Sequence, residues 1–136
     1  MATTTATFTF SEDITDANLS LTNTSTLTQA GTTTGLDTIL RGTKTLTAVT
    51  SVDLISTAAL VSAYTADVAT KVYIANTGVS ETDYFIIGIG AAAGTQEEIG
   101  RLYGGDWMFI PWRIDDDITI QPSVATSMTV EYMVLS

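Results

Sequence analysis

Two neighbouring stretches decide the fold: residues 68–78, which read VATKVYIANTG, and residues 83–90, which read DYFIIGIG. In the first stretch Val72 and Ile74 alternate with other side chains as in a half-buried strand. Its closing Asn-Thr-Gly is typical of a turn, because Asn and Gly tolerate positive φ. The second stretch is apolar on both faces, which predicts burial between two layers or against another subunit. Together the two stretches predict a β-hairpin with a longer loop.

The composition of the whole chain also favours sheet. About a fifth of the residues are threonine, whose β-branched side chain fits strands better than helices. Apolar residues make up 45% of the chain and charged residues 15%, so disorder driven by charge is not expected. The 136 residues fit one domain of ordinary size with its own core.

Further strands are predicted at residues 99–103, 107–112, 117–121 and 127–135. Their spacing of about 8 to 15 residues is that of a sandwich or barrel. Pro111 and Pro122 indicate sheet edges or strand ends, because proline lacks the backbone N–H that a central strand needs. Residues 52–64 are ambiguous and leave room for one short helical turn. We therefore predict an all-β fold, either an antiparallel β-sandwich or a jelly-roll-like barrel.

The first 35 residues differ from the rest of the chain. Short alternations such as Thr7-Phe8-Thr9-Phe10 predict edge strands, but large apolar side chains are too few for a separate core. We predict that residues 1–35 form an extended Thr-rich arm or edge strands, which lie against the rest of the fold or reach onto a neighbouring subunit. Residues 36–136 are predicted to form a single β-sandwich domain.

Charge and residue types exclude several classes of function. The net charge of −10 disfavours binding to a phosphate backbone, so no nucleic-acid partner is expected. The absence of His and Cys rules out Ser-His-Asp and Cys-His triads, thiol chemistry and a Cys-type zinc site. The chain starts without a signal-peptide pattern and has no apolar run near the roughly 18 residues that span a bilayer. We expect a soluble protein with no membrane partner.

Three weaker patterns in the sequence are compatible with a chemical site. Glu97, Glu98, Asp106 and residues 115–117 could converge on a sugar as in glycosidases, and residues 115–117 could bind calcium. Both patterns are better explained as solvated loops and a polar turn, since the spacing of a calcium loop is missing. The glycines of residues 88–94 follow a strand, but no helix follows them to hold a pyrophosphate. We predict no enzyme activity, no metal and no cofactor.

The aromatic side chains are the strongest candidates for a binding surface. Trp107 and Trp112 are an odd number of residues apart, so on a regular strand they point to opposite faces. Either they fill the core, or at least one faces outward to anchor an interface or stack on a sugar. The candidate interface residues are Phe8, Phe10, Tyr103, Trp107 and Trp112.

Residues 71–135 resemble small all-β virion proteins of tailed bacteriophages, most of all capsid decoration or cement proteins. The resemblance rests on VYIANTG at residues 72–78, LYGGDW at 102–107, IPW at 110–112 and MTVEY at 128–132. It implies a non-enzymatic protein, made in the host cytoplasm, that binds the major capsid protein on the outer surface of the virion. It also implies a homo-oligomer, with a trimer favoured.

The sequence leaves two alternative functions open. The chain could be a tail, baseplate or fibre component of the same virions. It could instead be a carbohydrate-binding β-sandwich that presents Trp107 or Trp112 to a sugar. The position of the protein in labelled particles separates the first alternative from head decoration, and glycan binding lost on Trp→Ala would support the second.

Overall fold

The computed structural model describes residues 3–11, 20–29, 34–36, 38–60, 70–92 and 96–136. Within these ranges the chain is all-β, with antiparallel pairing throughout and one 3-10 turn at Thr57–Ala59. That turn lies in the stretch where the sequence leaves room for one. The strands are β1 (Thr4–Ser11), β2 (Ser20–Leu27), β3 (Ile39–Leu46), β4 (Val52–Ile55), β5 (Thr70–Asn76), β6 (Tyr84–Ile89), β7 (Glu97–Tyr103), β8 (Trp107–Trp112), β9 (Ile118–Pro122) and β10 (Met128–Leu135).

The chain divides into two compact units, residues 1–37 and 38–136. The first unit holds a two-stranded hairpin, in which β1 pairs with β2 from Thr4↔Leu27 to Ser11↔Ser20. A two-stranded ribbon of this kind has marginal stability in water unless a further surface covers it. Whether residues 1–35 act as an arm on a neighbouring subunit stays a prediction.

The second unit is a sandwich of two four-stranded sheets, in the orders β3-β10-β5-β8 and β4-β9-β6-β7. The pairing is nested: β3 pairs with β10, β4 with β9, β5 with β8 and β6 with β7. Strands early in the unit therefore pair with strands late in it, and the contacts that define the fold are far apart in sequence. The predicted antiparallel β-sandwich is confirmed.

The core lies between the two sheets, where alternate side chains of each strand point inward. Val72 and Ile74 of β5 and Phe85 and Ile87 of β6 are fully buried. Burial of this kind removes apolar surface from water and stabilises the fold by roughly 1.5–3 kcal/mol for each such side chain. The other core side chains are Leu54, Ile55, Leu102, Trp112, Ile114, Ile118, Ile120, Met128, Val130 and Val134.

The predicted hairpin between residues 68–75 and 83–90 is wrong. β5 pairs with β10 and β8, whereas β6 lies in the other sheet, between β9 and β7. The connection between them crosses from one sheet to the other, and Thr77 of that connection bonds through its backbone N–H to Thr129 O, 3.1 Å away. A two-faced apolar pattern indicates a buried strand but not which strand lies beside it.

Gly104 occupies a site that allows no side chain. Its N–H donates to Ser80 O at 3.0 Å, and a Cβ at residue 104 would lie 2.5 Å from Ser80 N. We expect Gly104→Ala to lower the free energy of unfolding by about 1–3 kcal/mol, because the neighbouring atoms are backbone and must shift. The measurement is urea unfolding with Gly100→Ala as the control, since a Cβ at residue 100 meets nothing within 4 Å. Equal effects of the two changes would contradict this close approach.

Candidate functional site: an aromatic sheet face

The outer surface of the β3-β10-β5-β8 sheet carries a row of large apolar side chains. In β8, Met108 and Ile110 pack against the core, so the alternate residues Trp107 and Phe109 point outward. Register places their neighbours beside them, because Tyr73 pairs with both Phe109 and Met133. We call the outward side chains of Tyr73, Trp107, Phe109 and Met133 the aromatic face.

The aromatic face is both contiguous and open to solvent. The ring centroids of Tyr73 and Trp107 are 6.1 Å apart at an interplanar angle of 33°, a distance within the range for interacting aromatic pairs. Trp107 is 51% exposed and Phe109 is 37% exposed. Solvent-exposed clusters of large apolar side chains mark interaction surfaces more often than single exposed residues do. This surface can therefore bury tryptophan and phenylalanine side chains against a partner.

Charged side chains border the aromatic face. Lys71 pairs with Pro111 across the β5–β8 ladder, and partial burial lowers the pKa of its amine. On the same face, toward the β3 edge of the sheet, Arg41 Nη2 lies 3.8 Å from Glu131 Oε1 of β10. An apolar centre with a polar border is the usual anatomy of a protein interface.

The two tryptophans of β8 lie on opposite faces, as their spacing predicts. Trp112 is 6% exposed, and its Nε1–H donates to Asp116 O at 3.1 Å. Its ring belongs to the core, so of the two tryptophans Trp107 alone offers a ring surface to a partner. The sequence offers Trp112 as a candidate interface residue because periodicity assigns the two tryptophans to opposite faces of the strand. Periodicity does not indicate which of the two faces is buried.

Tyr103 lies at the end of β7, in the other sheet. Its ring centroid is 5.1 Å from that of Tyr84, and the Arg101 guanidinium carbon lies 4.9 Å from the Tyr84 centroid. Arg101 Nε donates to Glu98 Oε1 at 2.9 Å, and this hydrogen bond raises the pKa of the guanidinium. These side chains contact one another across β6 and β7 and stabilise the strand pair. Tyr103 is thus not part of the aromatic face.

Phe8 and Phe10 share one face of the β1–β2 hairpin. Phe10 pairs with Leu21, and all three side chains are exposed, at 44%, 46% and 52% for Phe8, Phe10 and Leu21. The opposite face carries hydroxyl groups, among which Thr7 Oγ1 and Thr24 Oγ1 are 2.9 Å apart. The hairpin therefore has one apolar and one hydroxyl-rich surface.

Three of the aspartates that suggested chemistry, Asp106, Asp115 and Asp117, bond to neighbouring groups of the fold, and Glu97 and Glu98 lie in strand β7. Asp117 Oδ1 accepts hydrogen bonds from both the N–H and the Oγ1–H of Thr57, at 2.7 and 2.9 Å. Asp115 Oδ2 lies 3.0 Å from Arg113 Nε, and Asp106 Oδ2 accepts from Tyr103 N at 2.9 Å. Among the described residues no group of three or more His, Cys, Asp and Glu side chains converges as a metal site.

A depression of about 320 Å³ lies at one end of the sandwich, between the 76–83 connection and residues 126–129. The side chains of Asn76 and Ser80, which line it, have partners within the fold. Asn76 Nδ2 donates to Leu102 O at 3.0 Å, and Asn76 Oδ1 accepts from Gly78 N at 3.0 Å. Ser80 Oγ accepts from Asp83 N at 3.0 Å. These bonds fix the connection between the two sheets.

Comparison with known proteins gave no match. No protein-family model, curated protein or solved structure matches the chain. The resemblance to bacteriophage virion proteins therefore stays a prediction from the sequence. In the described part of the chain, no helix has the length and apolar character required to cross a membrane.

The sequence singled out Trp107 but missed Tyr73 and Met133. Both side chains look ordinary in their own strands, since single apolar residues on the outer side of a strand are common. They join Trp107 and Phe109 because β10, β5 and β8 lie side by side in this register. No local pattern in the sequence carries that information.

Proposed function

We propose that the chain is a non-enzymatic structural protein that decorates and stabilises a bacteriophage head by binding the major capsid protein. The observation that supports binding is the aromatic face, in which Trp107 is 51% exposed on the outer surface of the sheet. Tryptophan is enriched among the residues that contribute most to protein interfaces. The choice of the phage head as the target rests on the resemblance in sequence. The expected assembly into a homo-oligomer rests on the same resemblance.

The nested strand order is compatible with this proposal. Pairing of β3 with β10, β4 with β9, β5 with β8 and β6 with β7 is the order expected of an eight-stranded jelly roll. Viral capsid and lectin domains both use jelly rolls. A fold alone does not determine function, so the strand order supports the proposal only together with the surface.

Stabilisation of the head would follow from mass action. A protein that binds only the assembled shell stabilises that state by about 2.7 kcal/mol per site when its free concentration is a hundred times Kd. Many sites on one shell multiply the effect. The net charge of −10 opposes non-specific aggregation of the free protein and favours a basic patch on the shell.

The test is co-sedimentation of the purified protein with heads from a virus in which its gene has been deleted. We expect saturable binding to the heads and a rise in the temperature at which the heads release DNA. Tails from the same virus are the control. Binding to tails in place of heads would support the tail, baseplate or fibre function and overturn head decoration.

One observation also favours a second candidate function. The exposed ring of Trp107, beside Tyr73, is of the kind that stacks on sugar rings in carbohydrate-binding sandwiches. A glycan array separates the two candidates. Binding to a defined glycan that Trp107→Ala abolishes would establish the carbohydrate function, and an array without signal would remove it.

A further inference from the structure

Strand β3 presents an open edge of the sheet that carries the aromatic face. β3 is the outermost strand of that sheet and pairs with β10 along all eight of its residues. Thr38 and Ser136 exchange both backbone hydrogen bonds, at 2.9 and 3.0 Å. In an antiparallel ladder bonded pairs alternate with non-bonded pairs. The N–H and C=O groups of Ile39, Arg41, Thr43 and Thr45 therefore point away from β10, toward the free edge.

These edge residues are accessible. Ile39 is 58% exposed, and the side chain of Arg41 is 67% exposed. Thr43 and Thr45 are exposed as well. A row of outward backbone donors and acceptors on a regular strand is a template for another strand.

The other three edges of the sandwich, which are β4, β7 and β8, are protected against such pairing. β4 has four residues and an irregular register with β9. β7 carries Glu97, Glu98 and Arg101, and its ladder with β6 is also irregular. β8 contains Pro111, which has no N–H to donate. Short strands, bulges, charges and proline are the devices that block edge pairing. Among the four edge strands of the sandwich, β3 alone has eight residues and a regular register without proline.

We propose that two copies of this chain associate through β3, as an antiparallel pair centred on Thr43. In this register Thr43 lies opposite Thr43 of the second copy, Arg41 opposite Thr45, and Leu40 opposite Leu46. No cation lies directly opposite another, so the pairing avoids like-charge repulsion. Leu40, which is 37% exposed, gains an apolar neighbour from the second copy.

The two-fold axis of such a pair runs through the sheet, perpendicular to it. The two four-stranded sheets become one of eight strands, and both aromatic faces lie on the same side. With strands about 4.8 Å apart, the centres of the two faces lie roughly 30 Å from each other. The pair therefore presents two binding surfaces to one flat target, which raises apparent affinity through effective concentration. This consequence rests on the proposed function, but the pairing itself does not.

A single cysteine at the axis tests the pairing. The chain has no cysteine, so Thr43→Cys introduces the sole thiol. Bonded antiparallel partners have Cα atoms about 5.5 Å apart, which suits a disulfide. We expect mild oxidation to convert Thr43→Cys into a covalent dimer of twice the chain mass, measured by non-reducing electrophoresis and light scattering.

Thr45→Cys is the matched control. In the proposed register the two Thr45 Cα atoms lie about 14 Å apart, beyond the reach of a disulfide. We expect Thr45→Cys to cross-link at least tenfold more slowly than Thr43→Cys. Equal rates for the two variants, or no dimer from either, would overturn the proposal. If the β3 edge instead binds a strand of another protein, neither cysteine variant would form the dimer, and the proposal would be wrong.

A proline at residue 43 provides a second test. The Thr43 N–H points to the free edge, so Thr43→Pro leaves the β3–β10 ladder intact while removing a donor from the proposed pair. We expect a folded monomer whose apparent affinity for heads falls on the order of a hundredfold through loss of the second contact. If the wild-type protein is a monomer that binds heads, the β3 pairing is wrong and head decoration stands. If the wild-type protein is a dimer that does not bind heads, the β3 pairing stands and head decoration is wrong.

Discussion

Trp107→Ala is expected to weaken binding of the protein to phage heads by about 30-fold, or about 2 kcal/mol. The physical reason is that Trp107 is the largest side chain of the aromatic face and contacts Tyr73 across the strand pair. Alanine removes most of the apolar area that a partner could cover. The measurement is the equilibrium Kd for heads, taken from co-sedimentation at increasing protein concentration.

Tyr103→Ala is the control for this prediction. Tyr103 is an exposed aromatic residue of 38% exposure, but it lies on the other sheet, with Tyr84 and Arg101. We expect its replacement to leave the affinity for heads within about twofold. If Tyr103→Ala weakened binding as much as Trp107→Ala, the binding surface would not be the aromatic face. Thermal unfolding of both variants tests whether either effect comes from loss of the fold.

Phe85→Ala is expected to destabilise the protein by about 3–5 kcal/mol. Phe85 is the second residue of β6 and is fully buried, and its ring packs in the core shared by both sheets. Alanine loses the transfer free energy of the ring and leaves a cavity that the surrounding strands cannot fill. The measurement is the free energy of unfolding from urea titration of the full chain.

Phe109→Ala is the matched control for Phe85→Ala, because both variants replace phenylalanine by alanine. Phe109 is the same residue type on the outer face of β8, where it is 37% exposed. Because much of its ring already contacts water, we expect a loss of stability of about 1 kcal/mol or less. Equal destabilisation by the two changes would mean that the sides of the sandwich are assigned wrongly. The same variant is expected to weaken binding to heads, so the pair separates core from surface.

The sequence predicts the elements of this fold well. Alternation identifies β5 and β10, proline indicates the edge position of β8, and the ambiguous stretch around residues 52–64 contains the short 3-10 turn. These features depend on residues close together in the chain, where side-chain direction and backbone freedom leave a direct trace.

The sequence did not predict how the strands pair. β5 and β6 look like a hairpin because they are neighbours with turn residues between them, yet their partners are β10, β8, β9 and β7. Pairing of this nested kind depends on the free energy of the complete core, which no local window contains. Tyr73 and Met133 were not predicted for the same reason, because they join the aromatic face only through the pairing of neighbouring strands.

We propose that this protein is a structural component on the outside of a phage head. The most direct measurement is electron cryomicroscopy of virions with and without the gene for this chain. Head decoration predicts density for a small β-sandwich on the outer head surface of the parent virion, and this density disappears when the gene is deleted. Unchanged heads in the deletion virus, or density lost from the tail instead, would contradict it.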